Sequence, residues 1–516
     1  MNKKKVLIGI FCASLWLSGC AKGQVNESVS SNTLVYASQD LTRINPIVDE
    51  HGEINALLFD GLTAHGKNNE IVPALATSWE HDTSENTWTF HLREGVTWHD
   101  GKPFTAEDVK FTIEAIMDPK NESENAANFI DVEEIEIIDD ETIVFELEDN
   151  NVAFIDYMTI PILPRHALEG EDMQTSSFFF HPIGTGPYVF ESWEEGQAIT
   201  MKANPDYYNG AAHIEEVIFK IVPDDDAKTL QLKSGEVDLA QLTPKSARSF
   251  EKKDGFSVFH MKTADYRGIL YNFNNAYWKA NKDIIPAISY AIDRQAIVDT
   301  ILLGQGEVAY SPIQKNEYND NSIENFEYDP KKSEQILQEI GCVKNKEGMY
   351  ERNGEIIGFE LVAPSDDVLR QDIAQAIRQQ LQEVGIECTV TIPSQVDWTH
   401  QMAYLIGWGS PFDADDHTFK VFATDQGANY SSYSNAKVDE YLKEARTTSD
   451  PQKRKEAYSK FLKEMTVDPA FTFICYVDAD YVGKTTIEGI DPDQILGHHG
   501  VGIFWNIEQW KISKGE

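Results

Sequence analysis

The alternation of short β-type runs with amphipathic helical stretches is the feature that most constrains the fold of this 516-residue chain. Residues 33–38 (TLVYAS) and 86–92 (NTWTFHL) have the β-branched and aromatic composition of strands. Residues 368–384 instead repeat apolar side chains at helical spacing. Strands and helices that alternate along one chain predict an α/β protein, and 41% apolar residues can form a large core.

Other local patterns place further elements on the chain. Thr105-Ala-Glu-Asp108 has the spacing of a capping box, which starts a helix. Two alternating runs on either side of Asp139-Asp140 predict a hairpin over residues 135–147. Helical apolar spacing predicts three more helices, at residues 286–303, 437–445 and 452–465. Because no long Pro- or Gly-rich linker divides the chain, we expect its domains to contact one another closely.

The charge balance excludes some classes of partner. The chain has 85 acidic and 44 basic residues, a net charge of −41, which argues against binding nucleic acid or an anionic membrane surface. This charge is compatible with a cationic or chelated-metal ligand. No nucleophile elbow, phosphate loop or metalloprotease helix is visible, so we do not expect an enzyme. The acidic run Asp413-Ala-Asp415-Asp416 does not continue into an EF-hand and is interpreted as a solvated loop.

The first residues predict export. A short basic stretch precedes an apolar run from Val6 to Leu17, which is the layout of a secretory signal peptide. The sequence Leu-Ser-Gly-Cys that ends at Cys20 resembles the bacterial lipobox, which implies removal of residues 1–19 and lipidation of Cys20. Residues 20–32 are small and polar and suit a flexible tether. We therefore expect an extracytoplasmic protein whose only membrane attachment is a lipid anchor on the outer face of the cell membrane.

Cysteine usage indicates that disulfides do not stabilise this fold extensively. Beyond Cys20, the chain contains Cys342, Cys388 and Cys475, an odd number that permits one disulfide at most. Cys475 lies in an apolar run and is predicted to be a buried strand residue.

Several segments in order along the chain resemble one protein family. They are residues 58–62 (LFDGL), 72–79 (VPALATSW), 90–112 (FHLREGVTWHDGKPFTAEDVKFT), 181–193 (HPIGTGPYVFESW), 204–208 (NPDYY), 235–238 (GEVD), 288–298 (ISYAIDRQAIV) and 328–330 (YDP). Together they resemble the solute-binding proteins of ABC importers in the peptide/nickel family, bacterial family 5. The resemblance covers essentially the whole chain after the tether.

The resemblance implies a two-lobed, periplasmic-binding-protein-like α/β fold with a hinge and an extra satellite domain on the first lobe. The implied division is residues 33–57, 179–263 and 489–516 for the first lobe, 58–178 for the satellite domain, and 264–488 for the second lobe. It also implies a monomer that delivers its ligand to the permease and ATPase subunits of an importer.

The sequence leaves two interpretations of the ligand open. In dipeptide and oligopeptide binders of this family an aspartate stands three residues after a Gly-Trp pair, whereas here Gly407-Trp408 is followed at that position by Pro411. The run Trp-Gly-Ser-Pro-Phe-Asp instead resembles the Trp-Gly-x-Pro-Tyr-Asp run of nickel-binding members. We therefore favour nickel, carried as a chelate such as a histidine complex, with an oligopeptide as the alternative.

A histidine pair near the C-terminus supports the nickel reading. His498 and His499 are flanked by glycines, and imidazole is a preferred donor for Ni²⁺. They resemble the paired-histidine loop of one nickel-importing branch of the family, in which an earlier histidine also contributes, here matched by His51. The alternative is an exposed histidine pair without metal. His417, close after Asp413, is a further candidate.

The remaining candidates would contact the organic part of a chelate. A guanidinium supplies a bidentate fork for carboxylates, and the resemblance places Arg370 facing the cleft. Arg267, beside Tyr266 in the first strand of the second lobe, is another candidate. Each could instead form a surface ion pair. Trp408 would form an apolar wall against the chelate, or would only pack in the core.

Overall fold

The structure, a computed structural model, describes residues 32–48 and 52–513. The predicted signal peptide, Cys20 and His51 lie outside the described residues. In the part of the chain that is described, none of the helices has the length and apolar character needed to cross a bilayer. The elements form a mixed α/β fold, which confirms the predicted fold class.

Three larger sheets organise the molecule, and we name its parts after them. The first lobe is built on a seven-stranded sheet with the strand order Phe256–Met261, Ala479–Lys484, Leu239–Leu242, Thr33–Ser38, Glu216–Ile221, Ala198–Ala203 and Tyr188–Glu194. The satellite domain is built on a four-stranded sheet with the order Ala76–Asp82, Thr87–Leu92, Thr142–Leu147 and Val132–Asp139. The second lobe is built on a six-stranded sheet with the order Gly306–Val308, Phe471–Val477, Tyr266–Tyr271, Ala403–Trp408, Gly358–Val362 and Glu387–Thr391.

Smaller sheets and helices complete the described elements. The short strands are Thr63–His65 with Ile71–Pro73, Val343–Lys344 with Tyr350–Arg352 and Glu355–Ile356, and Ile487–Glu488 with Lys511–Ile512. The α-helices are Asn55–Leu58, Ala106–Met117, Phe154–Tyr157, Arg165–Leu168, Asp225–Ser234, Pro244–Ala247, Ala276–Asn281, Ile285–Ala291, Arg294–Thr300, Pro330–Glu339, Val368–Val384, Ala414–Phe422, Ala436–Thr447 and Pro451–Val467. Short 3₁₀ helices span Lys67–Asn69, Pro119–Asn121, Glu124–Phe129, Ser177–Phe180, Lys282–Ile284, His498–Gly500 and Ile507–Gln509.

Most of the predicted elements are confirmed. Thr105 and Asp108 form the capping box at the start of the helix Ala106–Met117, and the hairpin around Asp139-Asp140 pairs as expected. The predicted helix at 286–303 is wrong as a single helix. It is divided at Ile292, whose backbone is extended, because the Asp293 side chain accepts from the Ala296 amide and starts a new helix.

The predicted solvated loop at residues 413–416 is also wrong. Asp413 caps a helix and accepts from both terminal nitrogens of Arg454 at 2.6 Å. Asp415 is only 1% exposed and accepts from Arg446 at 2.7 Å. Asp415 can be buried and Asp413 half-buried because arginines from two later helices neutralise them.

The chain crosses between the two lobes along neighbouring segments. One crossing follows the strand that ends at Met261, and the other is made at Asp478, between the strands Phe471–Val477 and Ala479–Lys484. The Thr263 hydroxyl donates to the Val477 carbonyl at 2.6 Å, and the Val477 amide donates to the Asp265 carbonyl at 3.0 Å. The second crossing therefore lies ahead of the boundary at residue 489 that the sequence implied.

Two further sequence features find a structural role. A Cβ on Gly184 would lie 1.7 Å from the Leu58 carbonyl oxygen, so the two family segments 58–62 and 181–193 pack backbone against backbone. Cys342, Cys388 and Cys475 are all buried and free, and Cys475 lies in a strand as predicted.

Candidate functional site

A cavity of about 790 Å³ lies between the satellite domain and the second lobe. The satellite side is formed by residues 117–130, from the end of one helix through the next two 3₁₀ helices. The second-lobe side includes Arg370, Trp408 and Lys420, and His498 from the C-terminal segment completes the wall. The volume is within the range of small-molecule binding sites. The cavity therefore brings together three of the residues that the sequence singled out.

Stacked aromatic rings form one wall. The Tyr430 ring lies between Trp398 and Trp408, with centroid distances of 5.1 and 5.7 Å and interplanar angles of 29° and 26°. Trp398 and Tyr430 are each 39% exposed although they are large aromatic residues. Trp408 ends a buried strand, so its indole is held by the sheet. Such a wall offers flat apolar surface to a planar ligand group.

Two buried cations also line the cavity. Arg370 is 8% exposed, and its Nε donates to Asp367 Oδ2 at 2.6 Å while its amide donates to Asp367 Oδ1 at 2.9 Å. Lys420 is 5% exposed, with its Nζ 3.5 Å from Asp416 Oδ1. The carboxylates fix both side chains, Arg370 in the first turn of its helix and Lys420 in the last turn of its own. A guanidinium and an ammonium beside an aromatic wall suit a ligand that carries a carboxylate.

The histidine pair lies against a buried aspartate. His498 Nδ1 is 2.9 Å from Asp265 Oδ1, and the His499 amide donates to Asp265 Oδ2 at 3.1 Å. The imidazole centroids are 3.8 Å apart. One potential metal-binding atom from each of Asp265, His498 and His499 lies within 4.8 Å of the others. This spacing is compatible with a shared metal ion.

The electrostatics of this cluster keep the Asp265 carboxylate charged and favour a neutral imidazole at His499. Burial alone would raise the pKa of Asp265, but the Arg267 guanidinium and His498 hold that pKa well below its usual range. Partial loss of solvent around its ring and the adjacent His498 lower the pKa of His499, although the residue as a whole is exposed. A neutral imidazole retains the lone pair that a metal needs.

The structure places Arg267 and His417 behind the cavity surface. Arg267 is 4% exposed and forms an ion pair with Asp265. His417 is 1% exposed, with its Nε2 2.8 Å from the Tyr266 hydroxyl and its ring 5.7 Å from that of Trp408. Burial and the nearby Lys420 lower the pKa of His417 to about 3. Direct contact of either side chain with a ligand stays a prediction.

Glu53 connects the segment that follows His51 to the histidine loop. Its Oε1 accepts from the Gly502 amide at 3.3 Å and lies 3.1 Å from the Tyr481 hydroxyl. The same hydroxyl is 3.0 Å from the Gly500 carbonyl oxygen. Burial raises the pKa of Glu53 to about 7. His51 itself lies outside the described residues, so its role as a metal ligand stays a prediction.

Sequence reasoning did not identify Asp265, Trp398, Tyr430 or Lys420. Trp398 and Tyr430 lie in polar loops without periodicity, where a large aromatic residue is itself a signal of binding. Asp265 carries no such signal because it precedes a strand with nothing in its neighbourhood to distinguish it.

Comparison with known proteins gives concordant matches over most of the chain. Residues 70–432 match the family described as "Bacterial extracellular solute-binding proteins, family 5 Middle". Protein XP55 of Streptomyces lividans is 32% identical over 473 residues, which is 90% of this chain and 86% of that protein.

Two solved structures are similar in fold and carry different ligands. NikZ from Campylobacter jejuni, in complex with Ni(L-His), has a TM-score of 0.88 and 36% identity, covering 94% of this chain and 100% of that chain. The oligopeptide-binding protein AppA from Bacillus subtilis, in complex with a nonapeptide, has a TM-score of 0.81 and 27% identity, covering 93% of this chain and 99% of that chain.

Proposed function

The chain belongs to the bacterial extracellular solute-binding proteins of family 5, and from this membership we propose that it captures nickel as a chelate, such as the L-histidine complex, for an ABC importer. The membership confirms the family resemblance of the sequence. Proteins of this family work with ABC permease and ATPase subunits. In our proposal the ligand is cargo, which the protein holds between its lobes and releases to the permease.

The observation that carries the proposal is the position of the histidine pair at the wall of the cavity. His498 lines the cavity, and a potential donor atom of His498 lies within 4.8 Å of one of His499, with the Asp265 carboxylate beside both. Imidazole nitrogens are preferred donors for Ni²⁺. The similarity to NikZ, whose structure contains Ni(L-His), supports the same ligand class for this chain. His51 would add a third imidazole.

The rest of the cavity suits the organic part of the chelate. The Arg370 guanidinium would donate hydrogen bonds to the chelator's carboxylate, with Lys420 as a second cation. Trp408 and Tyr430 would cover the chelator's imidazole with stacked rings. A nickel chelate with an amino acid combines a metal, a carboxylate and a planar ring, and the cavity has a matching group for each.

An oligopeptide is the second candidate, because the cavity of about 790 Å³ offers more room than a single amino acid requires. The similarity to AppA with its nonapeptide supports this reading. Main-chain contacts in a wet cleft would then hold the peptide, and the histidine pair would have no ligand role.

Calorimetry on a chain without residues 1–20 tests the proposal. We expect heat of binding for Ni²⁺ with L-histidine, and a loss of affinity of about tenfold or more when His498 and His499 are both replaced by alanine. The matched control is His400→Ala, because His400 is an exposed histidine whose imidazole pairs with Asp397.

The outcomes separate the two candidates. Nickel binding that survives the double substitution contradicts the metal site. If mixed peptides bind to the wild type and to the double alanine variant, and nickel binds to neither protein, the oligopeptide is the ligand. Native mass spectrometry of protein purified without chelators would identify whichever ligand the cells supplied.

A further inference from the structure

We infer that Asp265 is the positioning residue of the histidine pair: its carboxylate orients His498 and holds the backbone of His499, and is not itself a nickel ligand. This inference rests on the proposed function and deepens it. Asp265 lies 233 residues before His498 in sequence, at the end of the crossing into the second lobe and directly before the strand Tyr266–Tyr271.

The contact with His498 selects one ring nitrogen for the metal. A carboxylate only accepts hydrogen bonds, so the 2.9 Å contact between Asp265 Oδ1 and His498 Nδ1 requires a proton on Nδ1. In a neutral imidazole the lone pair is then on Nε2. Metal-binding histidines characteristically donate their other ring N–H to a carboxylate or carbonyl in this way. Asp265 therefore leaves Nε2 of His498 as the donor.

The backbone contact holds His499 in an unusual conformation. His499 has a φ of 57°, in the left-handed region that a non-glycine residue adopts at a cost. Its amide donates to Asp265 Oδ2 at 3.1 Å, and its carbonyl accepts from Gln241 Nε2 at 2.9 Å. Bonds on both sides of the residue thus keep the two imidazoles side by side. Such strain is characteristic of functional sites.

The surroundings of Asp265 exclude it from the ligand set. Oδ1 is shared by His498 and Arg267, and Oδ2 is used by the His499 amide. The side chain is 1% exposed, whereas that of His498 is 12% exposed and His499 is an exposed residue. A metal arriving from the cavity therefore meets imidazole first.

Asp265 is also fixed from behind. Its amide donates to the Thr263 hydroxyl at 2.9 Å, and its carbonyl accepts from the Val477 amide at 3.0 Å. Both partners belong to the paired segments that cross between the lobes. The carboxylate is consequently held by rigid backbone, as a positioning residue requires.

The test compares nickel binding by wild type, Asp265→Asn and Asp265→Ala. The asparagine oxygen can still accept from Nδ1–H, so we expect a smaller loss of affinity than with alanine, for which the loss should be about 10- to 100-fold. The control is Asp480→Asn, because Asp480 is a buried aspartate that contacts His260 Nδ1 at 2.6 Å away from the cavity wall. Its nickel affinity should change by less than about twofold.

Proton NMR of the nickel-bound protein distinguishes a loss of His498 orientation from a general loss of structure. In the wild type with Ni²⁺ we expect an exchangeable imidazole N–H proton, strongly shifted by the paramagnetic metal, that disappears in His498→Ala. Its presence shows coordination through Nε2 with Nδ1 protonated. If Asp265→Ala does not fold, this wild-type spectrum and Asp265→Asn still decide the matter.

Three outcomes would overturn the inference. Wild-type affinity in both Asp265 variants would remove the positioning role, even though nickel still bound through the histidines. Absence of the shifted N–H proton would show that His498 binds through another atom or not at all. Failure of the wild type itself to bind nickel would overturn the proposed function together with the inference.

Discussion

Arg446 of the second lobe and Asp131 of the satellite domain form an ion pair across the cleft, with 3.1 Å between Nη1 and Oδ2. Arg446 is 3% exposed and also donates to Asp415 of its own lobe at 2.7 Å. The Arg446 carbonyl accepts from the Val152 amide at 3.0 Å. These contacts thus join the satellite domain to the second lobe.

Replacing Asp131 with asparagine should favour the open form. The substitution removes the cross-cleft charge but leaves the Arg446–Asp415 pair inside the second lobe. Since closure is an equilibrium that the ligand shifts, we expect ligand affinity to fall by about fivefold or more. Small-angle scattering should show a larger radius of gyration in the ligand-free variant.

An exposed ion pair in the same interface provides the control. Lys443 and Asp149 lie 2.7 Å apart, with side chains 64% and 49% exposed. Water and salt weaken such a pair, so Asp149→Asn should change affinity by less than about twofold. Equal effects of the two substitutions would contradict a special role for Arg446–Asp131.

Arg370→Met should separate chelate binding from metal binding. The variant loses the guanidinium beside the aromatic wall, and we expect affinity for nickel with L-histidine to fall by about tenfold or more. Affinity for Ni²⁺ alone should change little. Isothermal titration with and without L-histidine measures both.

Arg378 offers a matched control on the same helix. It is exposed and contacts Gln375 on the outer surface, so Arg378→Met should leave both titrations unchanged. Parallel losses for the metal alone and for the chelate in Arg370→Met would show that the arginine does not recognise a carboxylate.

We expect the ionisation of Asp60 to lower the free energy of unfolding as the pH rises. Burial raises the pKa of Asp60 from 3.8 to about 6, against the opposing effect of hydrogen bonds from Tyr207 and Thr185. The folded state therefore binds a proton that the unfolded state releases. The contribution of this bound proton to the free energy of unfolding is fully present below about pH 4, and it is lost as the pH rises through about 6.

Asp60→Asn should remove this dependence, because the amide stays neutral. Between about pH 4 and pH 6 the free energy of unfolding of the wild type should fall by up to about 3 kcal/mol more than that of the variant. Urea unfolding at a series of pH values measures the difference. Parallel curves for the two proteins would show that Asp60 keeps an ordinary pKa.

Cys20→Ala should release the protein from the membrane. The lipobox-like sequence predicts lipidation at Cys20, and a chain without the lipid should partition into the aqueous phase of a detergent separation. The wild type should enter the detergent phase. Recovery of both proteins in the aqueous phase would exclude the lipid anchor.

Local patterns in the sequence account for much of the fold. The helix Val368–Val384 and the capping box at Thr105 were predictable because their spacing and caps involve residues less than a few turns apart. The helix break at Ile292 was not, because it depends on Asp293 competing for a backbone amide inside a continuous apolar pattern.

The sequence by itself determined the α/β class and the family. It also singled out Trp408, Arg370 and His498 as candidate binding residues, since each of these inferences depends on short motifs. Only the tertiary structure decided that His498 lies on Asp265 and that Arg446 bridges to Asp131, contacts that join residues 233 and 315 positions apart. The aromatic wall of Trp398 and Tyr430 likewise comes from two loops without periodicity. Such contacts have no local pattern because hydrogen bonding and burial at these sites arise only when separate elements pack together.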